Sequence, residues 1–190
     1  MSSAASLGEL LESSGAILHG HFILTSGRHS DVYFEKFRVL ENPGVLSALC
    51  AEIAERHRDL SLDFIAGPTT GGIIIAFEVA RQLGLPAVYI ETEDGKKTLR
   101  RNKTLPAGAV GLIVDDVLTT GRSLIESREA IEAAGGNVAA YAVLIDRSQN
   151  AEWDRPLFSA YRVEAVSYAA DDLPDWLAAI PAVKPGTRAA

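Results

Sequence analysis

Fourteen residues near the middle of the chain, 110–123, read V-G-L-I-V-D-D-V-L-T-T-G-R-S. An apolar run ends in two adjacent carboxylates, Asp115 and Asp116, and a Thr-Thr-Gly turn then opens an amphipathic helix. A strand–turn–helix junction of this kind belongs to an open α/β sheet, where ligands bind beyond the carboxyl ends of the strands. Two acids placed there can hold sugar hydroxyls or a hydrated cation. A glycine-bearing turn at a helix N-terminus supplies backbone N–H groups and a favourable dipole for a phosphate. The segment therefore offers complementary contacts to a phosphorylated sugar.

The surrounding chain keeps the same alternation. Asn42-Pro43 reads as an N-cap followed by proline at the first helical position, and Val45, Leu46, Leu49 and Ile53 recur at helical spacing. Phe64-Ile65-Ala66 is a short buried strand closed by Gly67-Pro68. Ile73, Ala76, Ala80 and Leu83 can line one helix face, which Gly84 ends. Residues 87–90, 112–114 and 139–145 are further strands, and Leu124, Ser127, Ile131 and Ala134 share a helix face closed by Gly135-Gly136. Strands alternating with helices imply right-handed crossovers and a parallel sheet with helices on both faces. Earlier, Leu7, Leu10 and Leu11 mark a helix, and residues 22–27 a strand and turn. From Ala151 the pattern weakens, and residues 178–190, with Pro181, Pro185 and Gly186, read as a loosely ordered tail. The expectation is one domain over 1–190: a helix plus hood element at 1–40, an α/β core at 41–150 and the tail.

Composition removes several function classes. An apolar fraction of 47% and a charged fraction of 23% are ordinary for a soluble globular protein, and 190 residues can bury a substantial core. No apolar stretch approaches the ~20 residues a membrane helix needs. Met1-Ser2-Ser3-Ala4-Ala5 lacks the basic start and apolar core of a signal peptide. The single cysteine, Cys50, cannot form an internal disulfide, which suits a reducing cytoplasm, and among Leu46, Leu49 and Ile53 it reads as a small core residue. A net charge of −7 disfavours extended nucleic-acid binding. There is no Cys/His metal spacing, so a metal here would be a hard cation met by carboxylate and phosphate oxygens. His57, in Arg56-His57-Arg58 at a helix end, reads as a surface residue; His29 is a candidate ligand contact; Trp153 and Trp176 read as packing residues.

Two more segments carry chemistry. Residues 66–72, A-G-P-T-T-G-G, join a strand to a helix, and their glycines let backbone amides approach an anion. Taken alone they suit a packing turn equally well. Residues 91–103, E-T-E-D-G-K-K-T-L-R-R-N-K, place five basic residues within eight positions. Read as a loop on the ligand side of the sheet, they could close over a bound anion, exclude water and stabilise developing negative charge. The plainer reading is a solvated loop.

The 110–123 run resembles the phosphoribosyl-pyrophosphate signature of the type I phosphoribosyltransferases. That resemblance implies that Asp115 and Asp116 face the ribose 2′ and 3′ hydroxyls. It implies that Thr119, Thr120, Gly121, Arg122 and Ser123 cradle the 5′-phosphate, and that Thr69, Thr70, Gly71 and Gly72 hold the pyrophosphate. Residues 21–34, H-F-I-L-T-S-G-R-H-S-D-V-Y-F, resemble the N-terminal element of orotate phosphoribosyltransferases, and Asp146-Arg147 matches an Asp-Arg of the same family. The similarity runs from about His21 to Arg147. It implies a type I phosphoribosyltransferase fold, with a central mostly parallel sheet flanked by helices and a small N-terminal hood. Ser26, Gly27, Tyr33, Phe34 and Arg147 would then surround the orotate ring, a guanidinium suiting its carboxylate or carbonyl edge.

The implied reaction is Mg2+-dependent transfer of the phosphoribosyl group from phosphoribosyl pyrophosphate to orotate, giving orotidine 5′-phosphate and pyrophosphate in pyrimidine biosynthesis. A cytoplasmic homodimer is implied as well, with residues 96–101 reaching the neighbouring subunit's site. The chain departs from the family pattern in three places. Thr25 and Gly71 stand where many members carry lysine, and the Lys-x-x-x-His-Gly loop is absent. Lys96, Lys97, Arg100 and Arg101, with Asp116, are therefore the candidate catalytic residues. Two other readings are a phosphoribosyltransferase for another base, such as a purine, and a non-catalytic regulator that binds phosphoribosyl pyrophosphate.

Overall fold

Residues 4–24, 26–99, 104–148, 152–163 and 166–185 are described by a computed structural model of the chain. In chain order the elements begin with α1 (Ala4–Ser13), β1 (Ile17–Ile23), β2 (His29–Phe34), α2 (Lys36–Leu40), α3 (Pro43–His57), β3 (Phe64–Pro68) and α4 (Gly71–Leu83). There follow β4 (Ala87–Glu93), β5 (Lys96–Leu99), β6 (Val110–Leu118), α5 (Arg122–Ala133) and β7 (Asn137–Asp146). The last are β8 (Leu157–Arg162), β9 (Ser167–Tyr168), α6 (Asp175–Ala178) and β10 (Ala182–Val183). The chain divides into two compact units, residues 40–162 and residues 1–39 with 163–190.

The unit of residues 40–162 is built on a six-stranded sheet of order β5-β4-β3-β6-β7-β8. Every neighbouring pair is parallel except β4 and β5. Apolar residues alternate across it as strand geometry requires. Ala66, Ile113 and Tyr141 turn to one face, where Leu124, Ala130 and Ile131 of α5 join them in one cluster. Ile65, Leu112 and Ala142 take the other face and are fully buried; α3 packs on α4 and on the β7–β8 side, and α4 on β3, β4 and β6. The start of α3 follows the sequence signal: Asn42 Oδ1 accepts the Gly44 and Val45 amides at 3.1 and 3.3 Å, ahead of the buried Val45, Leu46, Leu49, Cys50 and Ile53.

Two details differ from the sequence expectation. The buried face of α4 is Ile75, Ala76, Val79 and Ala80, while Ile73 and Leu83 are half-buried. The run Ile73-Ile74-Ile75-Ala76 leaves the helical phase open. Close packing of Gly72 on β3 decides it, since a Cβ there would lie 2.6 Å from Pro68 Cδ. His57 is buried, not on the surface: its Nδ1 donates to the Ile53 carbonyl at 2.7 Å and its ring meets Phe158 edge-on at 5.7 Å. Burial pushes its pKa below the usual histidine value.

The unit of residues 1–39 and 163–190 carries a four-stranded sheet of order β10-β1-β2-β9. Strand β1 starts earlier than the Phe22 signal and pairs antiparallel with β2. Their hairpin loop closes through Leu24 N–H to Arg28 O at 2.8 Å and Gly27 N–H to Leu24 O at 2.9 Å, with Gly27 at a φ of +79°. Within the expected loose tail, Ala182 and Val183 pair in parallel with β1. His21 Nδ1 donates to the Ile180 carbonyl at 2.8 Å and so ties that tail to the sheet. No helix among the described residues is long and apolar enough to cross a membrane.

Candidate active site

Asp115 and Asp116 lie inside β6, not beyond it, because pairing with β7 continues as far as Leu118 opposite Asp146. Successive strand residues point to opposite faces, so the pair is split. Asp116 turns toward the 66–72 turn: a Cβ on Gly71 would stand 2.4 Å from its Oδ2. Asp115 turns toward α5, where Ser123 and the Lys97 charge are close enough to lower its pKa. The following amide anchors each acid, Asp116 N–H on Asp115 Oδ1 at 2.9 Å and Val117 N–H on Asp116 Oδ1 at 2.7 Å. Burial, and then the like charge of Asp116, push the Asp115 carboxyl above the ordinary carboxylate value; the Asp116 amide, Ser123 and Lys97 pull it partway back.

Two helix N-termini flank this pair. Helix α4 begins after the Thr69–Thr70 peptide, which is cis, and α5 begins after Gly121 at a φ of +75°. Neither first turn has a side-chain cap, beyond a long 3.5 Å contact from the Arg122 amide to Thr120 Oγ1. Their leading amides are thus disposed for an anion. Thr69, Thr70, Thr119 and Thr120 are exposed, Gly71 and Gly72 buried. Only glycine fits at position 67, where a Cβ would fall 1.9 Å from the Gly72 carbonyl oxygen. The Arg122 side chain runs along the helix to Glu126 at 2.6 Å, which leaves its backbone amide as the group facing the turn.

The segment read as a cationic loop is in part a hairpin. Lys96 and Lys97 belong to β5, paired with Glu93 and Thr92 of β4. They line a cleft of about 330 Å³ with Glu126 and Glu129 of α5. The Lys97 charge is near enough to Asp115 of its own chain to lower that carboxyl's pKa slightly. Arg100 and Arg101 lie outside the described residues.

Arg147 follows β7, and its N–H donates to the Leu118 carbonyl at 3.0 Å, which sets it beside the end of the acid-bearing strand. Ser26, Gly27, Tyr33 and Phe34 belong to the other unit, on the β1–β2 hairpin: Ser26 and Gly27 exposed, Tyr33 half-buried with its ring 5.5 Å from Phe22, and Phe34 buried. Sequence reasoning missed the partition of the two acids and the approach of Ser123 and Lys97 to Asp115. Strand alternation through a longer β6 was the signal for the first. A recess of about 370 Å³ around Phe64, Pro86, Val88 and Leu105 sits at the amino ends of the strands, away from these groups.

Residues 38–175 match the family model for the phosphoribosyl transferase domain. The chain is 44% identical to the orotate phosphoribosyltransferase of Pelotomaculum thermopropionicum, over 94% of its own length and 95% of that protein's. It is 44% identical to the orotate phosphoribosyltransferase of Sphingopyxis alaskensis, over 91% of each chain. The crystal structure of orotate phosphoribosyltransferase from Aeropyrum pernix superposes with a TM-score of 0.72 at 30% identity, covering 83% of this chain and 94% of that one.

Proposed function

The chain belongs to the phosphoribosyltransferase family and has the type I fold, and on that premise we propose that it is an orotate phosphoribosyltransferase. It joins orotate to phosphoribosyl pyrophosphate, giving orotidine 5′-phosphate and pyrophosphate. The observation that carries this reading is the convergence at the carboxyl ends of β3 and β6: two uncapped helix N-termini on either side of a split acid pair. The choice of orotate rests on the relatives and on the 21–34 element with Arg147.

The ring nitrogen of orotate attacks the anomeric carbon as the carbon–oxygen bond to pyrophosphate breaks, the leaving group taking the electron pair and the ring N–H proton passing to the released pyrophosphate or to water. The transition state is oxocarbenium-like, so the protein's work is alignment and stabilisation of the leaving charge. Asp115 and Asp116 face the ribose 2′ and 3′ hydroxyls at the carboxyl end of β6. The 5′-phosphate is met by the amides of Gly121, Arg122 and Ser123 and the hydroxyls of Thr119 and Thr120, while Thr69, Thr70, Gly71 and Gly72 meet the pyrophosphate. Lys97 and Lys96, with Arg100 and Arg101, supply positive charge to the leaving group. Ser26, Gly27, Tyr33, Phe34 and Arg147 receive the base.

The family's Mg2+ fits the donor set only lightly. Among the described residues no cluster of three or more His, Cys, Asp or Glu side chains is arranged to hold a metal. Asp115 and Asp116 are the groups that would touch the ion, most of whose ligands would be substrate oxygens and water. When bound, Mg2+ neutralises charge on the pyrophosphate. We place the enzyme in the cytoplasm as a homodimer.

Pyrophosphate release with Mg2+ and a panel of bases tests the reading. Turnover should be fastest with orotate. Faster turnover of adenine, guanine or hypoxanthine would replace orotate by a purine, and binding of phosphoribosyl pyrophosphate without release for any base would indicate a regulator.

A further inference from the structure

Strands β7 and β8 are parallel, so the chain must return between them, and the described residues of that return form no helix. The described end of this return, residues 152–156, is clamped from several sides. The Tyr141 amide donates to the Pro156 carbonyl at 2.8 Å, and the buried Tyr141 hydroxyl donates to Asp154 Oδ1 at 3.2 Å. Asp154 Oδ2 pairs with Arg128 of α5 at 3.2 Å, and Arg155 Nε donates to the Val138 carbonyl at 3.1 Å. Arg128 is itself held by Glu132 at 2.7 Å.

The clamp delivers one side chain to the phosphate turn. The indole of Trp153 is half-buried, edge-on to Tyr141 at 6.2 Å, and its six-membered ring lies on Gly121. A Cβ at Gly121 would fall 1.8 Å from Trp153 Cη2 and 2.5 Å from Cζ3, so no other residue fits beneath the ring. Gly121 is the left-handed residue whose conformation aims the first amides of α5. Glycine alone would leave that turn many conformations, and a rigid aromatic plate against it removes them.

We propose that Trp153 is a positioning residue for the 5′-phosphate: it holds Gly121 in the left-handed conformation, so that the amides of residues 121–123 are aligned before ligand arrives. The proposal rests on the phosphoribosyltransferase reading of the turn, though not on the identity of the base. A second consequence is optical, because a phosphate bound to those amides alters the surroundings of an indole in contact with them.

Steady-state kinetics of Trp153→Ala and Trp153→Phe test it. Trp153→Ala should raise KM for phosphoribosyl pyrophosphate roughly tenfold with KM for orotate within about twofold, and Trp153→Phe should recover most of the loss because a ring is kept. A residue that merely supported the fold would lower the active fraction, and hence apparent kcat, without moving either KM; that pattern would overturn the proposal. If Trp153→Ala does not fold, the Trp176→Phe variant decides, since it leaves Trp153 as the sole tryptophan. Titration with ribose 5-phosphate should change its emission saturably, and unchanged emission at saturation would overturn the proposal. Should no base be turned over, the orotate reading fails, while the same titration still judges Trp153.

Discussion

Replacing Gly71 by alanine puts a methyl group where the Asp116 carboxylate now rests. On the existing backbone the new Cβ would stand 2.4 Å from Asp116 Oδ2, 3.2 Å from its Cγ and 3.3 Å from Leu40 Cδ1. Ordinary contact begins at 3.4 Å, so the carboxylate or the start of α4 must give by about 1 Å. Displacements of that size at a reacting centre cost about 100-fold in rate, or about 2.7 kcal/mol of transition-state stabilisation. Stability should move far less. Alanine favours the helix over glycine by about 0.5–1 kcal/mol, which offsets part of the ~1–3 kcal/mol for overpacking. The assay is pyrophosphate release beside thermal unfolding, with Gly44→Ala as control, because a Cβ there meets only Asn42 Oδ1 at 3.4 Å. The expected outcome is a loss of kcat/KM near 100-fold in Gly71→Ala, a small change in Tm, and a silent control. Activity within threefold of the parent would refute the contact between the pyrophosphate turn and Asp116 as a determinant of the site.

Because the folded state raises the Asp115 pKa, it binds that proton more tightly than the unfolded chain, and stability falls as pH rises from the ordinary carboxylate value through the raised one. Asp115→Asn should therefore raise Tm at pH 7 by a few degrees, about the shift that ~1 kcal/mol produces, while abolishing turnover; a lowered Tm would contradict the burial argument. Glu78 is the opposite case. Arg81, with Gln82 and Ser47, holds its carboxyl down at about 2, so its contribution is present above the ordinary value and lost as pH falls toward 2. Glu78→Gln should cost about 1 kcal/mol in urea unfolding at pH 7 and nearly nothing near pH 2, and an equal cost at both would rule the carboxylate out. Lys97 should serve its own chain: mixing Lys97→Met with Asp115→Asn subunits should restore no activity, whereas recovery toward a quarter of the parent would mean that Lys97 works across an interface.

Much of the fold was legible because local signals agreed with one another. The Asn42-Pro43 start, the Gly84 stop and the apolar runs at 64–66 and 139–145 each have one structural use, and all appear where periodicity puts them. The phase of α4 was not legible, since three consecutive isoleucines satisfy several faces and packing of Gly72 on Pro68 makes the choice. Residues 96–99 read as loop because their charges mask a four-residue edge strand, and such a strand is specified by its partner β4 more than by its own composition. In the site, the motif residues were all visible, but their directions were not. Where Asp115 and Asp116 point depends on β6 continuing past Val114, which depends on β7. Trp153 carries no motif and reaches Gly121 only through the return between β7 and β8.

The most direct measurement compares the parent with the Asp115→Asn/Asp116→Asn double variant in Mg2+-dependent conversion of orotate to orotidine 5′-phosphate, with folding checked by circular dichroism. The expected result is turnover by the parent and none measurable by a folded double variant. Near-normal turnover by the double variant would contradict the assignment of the split acid pair to the ribose, and with it the site.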